Sequence, residues 1–280
     1  MINKSLILEG GGMRGVYTAG VLDCLLDHGM YFKYIYGVSA GVCHGCSYVS
    51  KQRGRAVRTV LDFLEDYRYG SFRNWLTTGD YFREKFVYGE VPDSILPFDY
   101  AAFETSGQTI YSTVTNVETG QAEYVPLTEL KRDMPWLRAS ASLPLISRLV
   151  RIDGAIYLDG GIADSIPLAK SLSDGHAENL VVLTRHEGYV RQPENSTLMA
   201  ARYRRYPAFV ATARKRHDIY NESLRLVESE VKMGRALVIR PGKEVTITRL
   251  EKDAKKLRAL YEDGYRDAES CIAAKPDFFR

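Results

Sequence analysis

Residues 5–15 read Ser5-Leu6-Ile7-Leu8-Glu9-Gly10-Gly11-Gly12-Met13-Arg14-Gly15, and residues 34–41 read Tyr34-Ile35-Tyr36-Gly37-Val38-Ser39-Ala40-Gly41. Each is a short apolar run that ends in small residues. Runs of this kind, closed by glycine, fit strands buried on both faces. A helical pattern follows each of them. Val16, Ala19, Leu22, Leu25 and Leu26 recur at the spacing of one helix face, and Gly29 lies just beyond as a stop. A small-residue helix runs from Ala40 to about Tyr48, and Val57, Val60, Leu61 and Leu64 mark a third. Strand, small-residue turn and helix, repeated in this order, predict an α/β/α arrangement of three layers around a mostly parallel sheet.

Further along, Gly70 to Asp99 is aromatic and irregular, as a lid or a pocket wall would be. Thr109–Asn116 and Ala122–Val125 read as a hairpin around Glu118-Thr119-Gly120, and Ser147–Ile152 and Ala155–Leu158 as another around Asp153-Gly154. Leu180–Leu183 and Leu237–Ile239 are two more strand candidates. After about residue 190 the character changes. Leu224, Val227 and Val231, then Leu250, Leu257, Leu260 and Tyr261, suggest amphipathic helices. The expected organisation is a main domain over 1–189 and a helical C-terminal extension over 190–280 packed on it.

The chain has 280 residues, 45% hydrophobic and 26% charged. A chain this long buries roughly three quarters of its unfolded surface, so its core needs no staples. Disordered, collagen-like and disulfide-dense classes are excluded. Thirty-eight Lys and Arg face 35 Asp and Glu, a net charge of +3, too balanced to point to nucleic acid. Cys24, Cys43, Cys46 and Cys271 are few and unevenly spaced, which fits a reducing compartment. The first apolar stretch is too short for a signal-peptide core, and no run approaches the roughly 18 apolar residues of a spanning helix. The expected location is cytoplasmic, with peripheral contact at a membrane left open.

Three motifs carry chemistry. Gly10 to Gly15 ends a strand and opens a helix, where backbone N–H groups favour negative charge. Gly10, Gly12 and Gly15 fit the dinucleotide pattern. That reading also wants an acid near the end of the second strand, and Phe32-Lys33-Tyr34-Ile35-Tyr36 has none. The bland alternative is a tight turn without a ligand. Gly37-Val38-Ser39-Ala40-Gly41 fits a nucleophile elbow, in which glycines permit a sharp turn and the serine stands above the strand ends. Its alternative is a serine N-cap.

A serine needs a base. His28 precedes the elbow, His44 lies along the elbow helix, and His176, His186 and His217 have no recognisable context. Tyr157-Leu158-Asp159-Gly160-Gly161 offers a carboxylate instead, at a strand end, with glycines that let another chain come close. Partial burial would raise its pKa toward that of a working base. The alternative is an Asp that caps a turn before a helix beginning near Pro167. Cys43-His44-Gly45-Cys46 has redox-like spacing but lacks a second ligand pair for zinc, so no metal or cofactor is expected. The basic, aromatic stretch Arg202–Arg216 suits anionic lipid headgroups, a solvated helix face or a partner surface.

Taken together, Gly10–Gly15, Gly37–Gly41 and Asp159–Gly161 resemble the patatin-like phospholipase family, bacterial members in particular. Ala139-Ser140-Ala141-Ser142-Leu143-Pro144 is similar to a further segment of that family, and Asp159 through Asp164 to Pro167 follows the bacterial form of the third motif. The resemblance covers about residues 4–185. It implies the patatin-like fold and a Ser39–Asp159 dyad in place of a triad. It also implies an oxyanion hole at Gly10, Gly11 and Gly12, supported by Met13, Arg14, Gly15, Gly37, Val38, Ala40, Gly41, Gly160 and Gly161. Arg14 would hold the loop by hydrogen bonds or face a lipid phosphate, the first being preferred. The implied activity is hydrolysis of lipid acyl esters. A general carboxylesterase or thioesterase with the same dyad is the alternative, and a non-catalytic nucleotide- or lipid-binding module is the second.

Overall fold

The computed structural model describes all residues 1–280. Its single sheet has eight strands: β1 (Ile2–Leu8), β2 (Phe32–Val38), β3 (Thr109–Asn116), β4 (Ala122–Leu127), β5 (Val150–Ile152), β6 (Ala155–Asp159), β7 (Asn179–Val182) and β8 (Ala236–Ile239). Their order is β5-β6-β3-β2-β1-β7-β8, with β4 paired to β3. The run from β3 through β2, β1 and β7 to β8 is parallel. β4 and β6 lie antiparallel to β3, and β5 antiparallel to β6.

The helices are α1 (Val16–Asp27), α2 (Ala40–Val49), α3 (Arg55–Leu61), α4 (Phe72–Thr78), α5 (Tyr100–Glu104), α6 (Leu130–Ser140), α7 (Leu168–Ser173), α8 (Thr197–Arg202), α9 (Pro207–Arg214), α10 (Arg216–Lys232) and α11 (Ala254–Ala274). Alternation along the central strands sorts them into layers. Leu6, Leu8, Ile35, Leu180 and Val182 face a core shared with α1, α2 and α11. Ile7, Tyr36, Val181 and Leu183 face the opposite core, with Leu168 of α7 and Tyr220 and Val227 of α10. Both faces of the parallel strands are thus covered, which is why these strands are apolar throughout rather than alternating.

The strands stand close to where the sequence puts them. The third helix is shorter than its apolar spacing suggests: Leu64 lies in a turn after α3, yet is buried in the main core. The irregular aromatic segment contains α4 and a π-helix over Phe86–Ile95 with Pro92 inside it. Proline has no N–H to give an ordinary helical ladder.

Residues after 190 add more than helices. β8 pairs in parallel with β7 and extends the same sheet. α11 lies along α1, where Tyr17 Oη donates to Asp267 at 2.7 Å and Tyr261 Oη to Asp23 at 2.8 Å. In the basic stretch, Tyr203 and Phe209 do not face solvent or lipid. They are buried with Ile156, Leu158 and Ile162, because this aromatic face closes a core beside β6. Arg204, Arg205, Arg214 and Lys215 remain exposed.

Candidate active site

Strand register brings the three motifs together. Leu8 pairs with Gly37, so the loops leaving β1 and β2 emerge side by side at the carboxyl edge of the parallel sheet. Open α/β sheets bind their ligands at this edge. Val38 pairs with Thr113 and Asp159 with Val114 along one edge of β3, because β4 occupies the opposite edge at Thr113, Val114 and Thr115. The carboxyl ends of β2 and β6 therefore meet on that edge, which brings Ser39 beside Asp159.

The elbow is a sharp backbone turn. Ser39 has φ 54° and ψ −124°, a conformation costly for a residue with a side chain and held only by its surroundings. The glycines explain the fit. A Cβ on Gly37 would stand 2.6 Å from Val42 Cα, and one on Gly41 2.5 Å from the Leu8 carbonyl oxygen, so only glycine lets α2 fold back over the strands. The Ser39 N–H donates to Ser140 Oγ at 2.8 Å, and Ser140 Oγ donates to the Thr113 carbonyl at 2.7 Å. Ser140 thus braces the elbow against β3, which gives the Ala139–Pro144 segment a structural purpose.

Asp159 is buried. Its Oδ1 accepts the Gly161 N–H at 2.8 Å, while Oδ2 is buried without a hydrogen-bond partner. Burial pushes its pKa up, opposed by the Arg216 guanidinium, then by the Ser39 hydroxyl, the Gly161 N–H and Arg249. The chain around it is pinned: Asp159 N–H donates to the Ser142 carbonyl at 2.9 Å, and Thr115 Oγ1 to the Asp159 carbonyl at 2.8 Å. Gly160 lies against the Thr113 carbonyl. The capping interaction expected of an Asp here also exists, as the Gly161 bond that fixes the carboxylate.

In the glycine loop, the N–H groups of Gly10, Gly11 and Gly12 donate no hydrogen bond, whereas Met13 N–H donates to the Arg249 carbonyl at 3.2 Å. Gly12 has φ +57°, and a Cβ there would come within 2.7 Å of that same carbonyl. Gly15 packs on Ala40 and His44. The preferred role for Arg14 does not hold: its side chain, 6% exposed, makes no hydrogen bond, and its Nε is buried and unpartnered. Burial and the neighbouring Arg185 lower its pKa to about 10.

Ser39 lies where two cavities meet. One, of about 150 Å³, is mainly apolar and lined by residues such as Val60, Tyr69, Val87, Val91, Met134 and Leu137. The irregular segment after α3 is thus a wall of this cavity. The other, of about 20 Å³, holds Ser39, Asp159 and the glycine loop together with Arg14, Arg185, Arg191, Arg216 and Arg249. Sequence reasoning missed the last four of these arginines. Arg216 was read as part of a surface stretch, but it opens α10, and its Nε donates to the Gly161 carbonyl at 2.6 Å. Glu9 ties the edge together, accepting from Thr184 Oγ1 at 3.0 Å and from Tyr220 Oη at 2.8 Å.

Of the five histidines, His44 alone lines a cavity with Ser39. Burial lowers its pKa to about 4, which leaves it neutral and a weak base at ordinary pH. Cys43 and Cys46 are free thiols, and burial raises both pKa values, that of Cys43 to about 12. Such thiols are unreactive.

The family model described as Patatin-like phospholipase matches residues 6–170, and one described as Domain of unknown function (DUF6363) matches residues 206–280. The Escherichia coli protein named Uncharacterized protein YjjU is 31% identical over 186 residues, which are 64% of this chain and 51% of that one. Lysophospholipase nte1 of Emericella nidulans is 29% identical over 175 residues, 59% of this chain and 11% of that one. The chain thus spans about half the length of the first relative and a small part of the second. The crystal structure of VipD from Legionella pneumophila shares the fold, with a TM-score of 0.50 at 13% identity, over 98% of this chain and 67% of that one. With the family's motifs gathered at one sheet edge and its model matching more than half of the sequence, this chain belongs to the patatin-like phospholipase family.

Proposed function

We propose that the chain hydrolyses acyl esters, lipid esters foremost, with Ser39 as nucleophile and Asp159 as base. The observation that carries the reading is the buried, unpartnered Oδ2 of Asp159 in the pocket that Ser39 shares, at a backbone turn held in a costly conformation. Ser39 Oγ attacks the ester carbonyl as its proton passes to Asp159. The tetrahedral oxyanion is met by the free N–H groups of Gly10, Gly11 and Gly12, and the alcohol departs with the proton. Asp159 then activates water to release the acid. Donors of this kind contribute most where charge develops, about 100- to 1000-fold in rate for each. The apolar cavity beside Ser39 suits an acyl chain and favours lipid esters over small carboxylic esters or thioesters.

A lipid surface would be met by α4 rather than by the basic stretch. Phe72 is 63% exposed and Leu76 77%, on a short helix whose Trp75 Nε1 donates to the Leu145 carbonyl at 3.0 Å, close to the residues that line both cavities. No helix of the chain is long and apolar enough to cross a membrane.

The test is fluorophosphonate labelling alongside p-nitrophenyl ester turnover. Wild type should label and turn over. Ser39→Ala should lose both, with kcat down by at least about 10⁴-fold, and Asp159→Asn should keep its fold and lose about 10²- to 10⁴-fold. Turnover that survives Ser39→Ala refutes the dyad.

A further inference from the structure

Four of the arginines around Ser39 come from outside the part of the chain that carries the motifs. Arg185 follows β7, Arg191 lies in the next loop, Arg216 opens α10, and Arg249 lies in the loop after β8. With Arg14 they put five guanidiniums in one pocket, against the lining carboxylates of Glu9 and Asp159. Glu194 is the one further acid close by, paired with Arg191 and lying 3.6 Å from Arg249. Glu9 is already spent on Thr184 and Tyr220.

Surface arginines repel little and are common. Here Arg14 and Arg191 are buried, and Arg185, Arg216 and Arg249 are half-buried. Mutual repulsion adds to desolvation in lowering the pKa values of Arg14, Arg216 and Arg249, that of Arg216 to about 9. Aromatic rings hold the side chains in place. Arg185 lies 4.5 Å from the Tyr189 ring centroid and Arg191 5.6 Å from that of Tyr220, and the two rings meet edge to face. The donors are nevertheless mostly free. Arg14 uses none, Arg216 uses Nε on Gly161, Arg185 reaches the Val245 carbonyl at 3.3 Å, and Arg191 gives one Nη to Glu194. Each guanidinium offers five N–H groups. A fold that gathers buried cations at a cost, and leaves their donors open, is built for an anion.

The position of the pocket says which anion. Ser39 must meet the ester carbonyl. The acyl chain leaves it on the apolar side, so the alcohol part of the ester points into the arginines. We propose that the chain cleaves acyl esters whose alcohol part ends in a phosphate monoester, a lysophosphatidate-type lipid, with that phosphate held by Arg14, Arg185, Arg191, Arg216 and Arg249. The assignment rests on the hydrolase reading above and gives the C-terminal domain of unknown function a role, because Arg216 and Arg249 belong to it. A doubly charged, compact phosphate suits five cations in a small cavity. A headgroup that ends in an ammonium would bring a further cation among them.

The experiment compares 1-acyl lysophosphatidate, lysophosphatidylcholine and monoacylglycerol of one chain length, below their aggregation limits, with inorganic phosphate as a separate probe. Wild type should show kcat/KM for lysophosphatidate at least about tenfold above the other two. Arg185→Gln and Arg191→Gln should each erase most of that ratio, and Arg191→Lys should retain part of it. Arg185→Gln guards against a folding failure at the more buried Arg191. Inorganic phosphate should compete with lysophosphatidate and raise the Tm of wild type more than that of either Gln variant. Equal turnover of the three lipids overturns the proposal, as does a preference that both Gln variants keep. Phosphate that binds and raises the Tm without any lipid preference identifies a free-anion site and overturns the headgroup assignment. Failure of the hydrolase reading looks different, since monoacylglycerol and p-nitrophenyl esters would then also go uncleaved, and the substrate assignment would fall with it.

Discussion

The two walls that meet at Ser39 differ in chemistry and in origin. The apolar wall is assembled between Gly12 and Leu143, from α2, α3, the π-helix over Phe86–Ile95 and α6. The arginine wall takes Arg14 from the glycine loop and its other four arginines from beyond Gly161. Only Gly12, Ser39 and Leu143 line both. In the proposed reaction, one end of the ester meets the motif-bearing segment and the other a segment that carries no motif. Substitutions should therefore separate the two readings. A change in the apolar wall should alter which acids are released, and a change in the arginine wall should alter which alcohols leave.

The largest separation is expected in the apolar wall. Burial of each methylene contributes about 0.8 kcal/mol, close to a fourfold gain in kcat/KM where the chain is taken out of water. Wild type should climb at about that rate through a series of p-nitrophenyl esters until the cavity is full. Val87→Trp puts bulk into a partly exposed position of the lining, where the fold can absorb it. It should end the climb several methylenes earlier, a loss of about 10- to 100-fold on long acyl chains, while acetate and butyrate esters keep most of their rate. A parallel fall on all chain lengths would mean that this cavity does not hold the acyl group.

A smaller effect joins the arginine wall to the chemistry. The base role proposed for Asp159 requires its ionised form, and burial raises its pKa. The acid limb of kcat/KM should therefore lie above the ordinary Asp range near about 4. Arg216 is the strongest of the influences that oppose the rise, ahead of Ser39, Gly161 and Arg249. Arg216→Gln removes that cation, so the carboxylate gains its proton more readily and the limb should move to higher pH. The pH profile of a neutral p-nitrophenyl ester reads this directly. A limb that stays in place, or moves down, would detach the arginine wall from the base.

The difference between the walls also decides what was legible in the sequence. Gly37-Val38-Ser39-Ala40-Gly41 and Asp159-Gly160-Gly161 declare themselves because close approach at a turn admits few residue types, as the Gly41 contact with the Leu8 carbonyl shows. The strands were legible because both faces of β1, β2 and β7 are buried. Arg191, Arg216 and Arg249 carry no such constraint. An arginine in a loop or at a helix start reads the same whether it faces water or a cavity; the pairing of β8 with β7 carries the Arg249 loop to the sheet edge, and the packing of α10 on the sheet brings Arg216 there. The signal present was weak: an apolar run at Leu237–Ile239 short enough to need a neighbour. Tyr203 and Phe209 mislead for the same reason, since a tyrosine or phenylalanine beside arginines has the composition of an interface even when it closes a core.

The smallest effect on stability should fall on α4, which belongs to neither wall. Ser71 caps it, accepting the Asn74 N–H at 3.1 Å, and buried Asn74 holds its base through Nδ2 bonds to the Tyr67 and Tyr81 carbonyls. Phe72 and Leu76 therefore contribute little to holding the helix, because both are well exposed and their helix is anchored by polar groups. Phe72→Ser with Leu76→Ser should change unfolding free energy by no more than about 0.5 kcal/mol per site, as surface substitutions do. Transfer of these two side chains into a lipid interface is worth about 1.5–3 kcal/mol each when burial is complete. The same pair should thus lower vesicle partitioning by about tenfold or more while leaving turnover of dispersed short-chain esters in place. Loss of turnover on dispersed ester would make α4 part of the apolar wall. Unchanged partitioning would exclude it as the face that meets lipid.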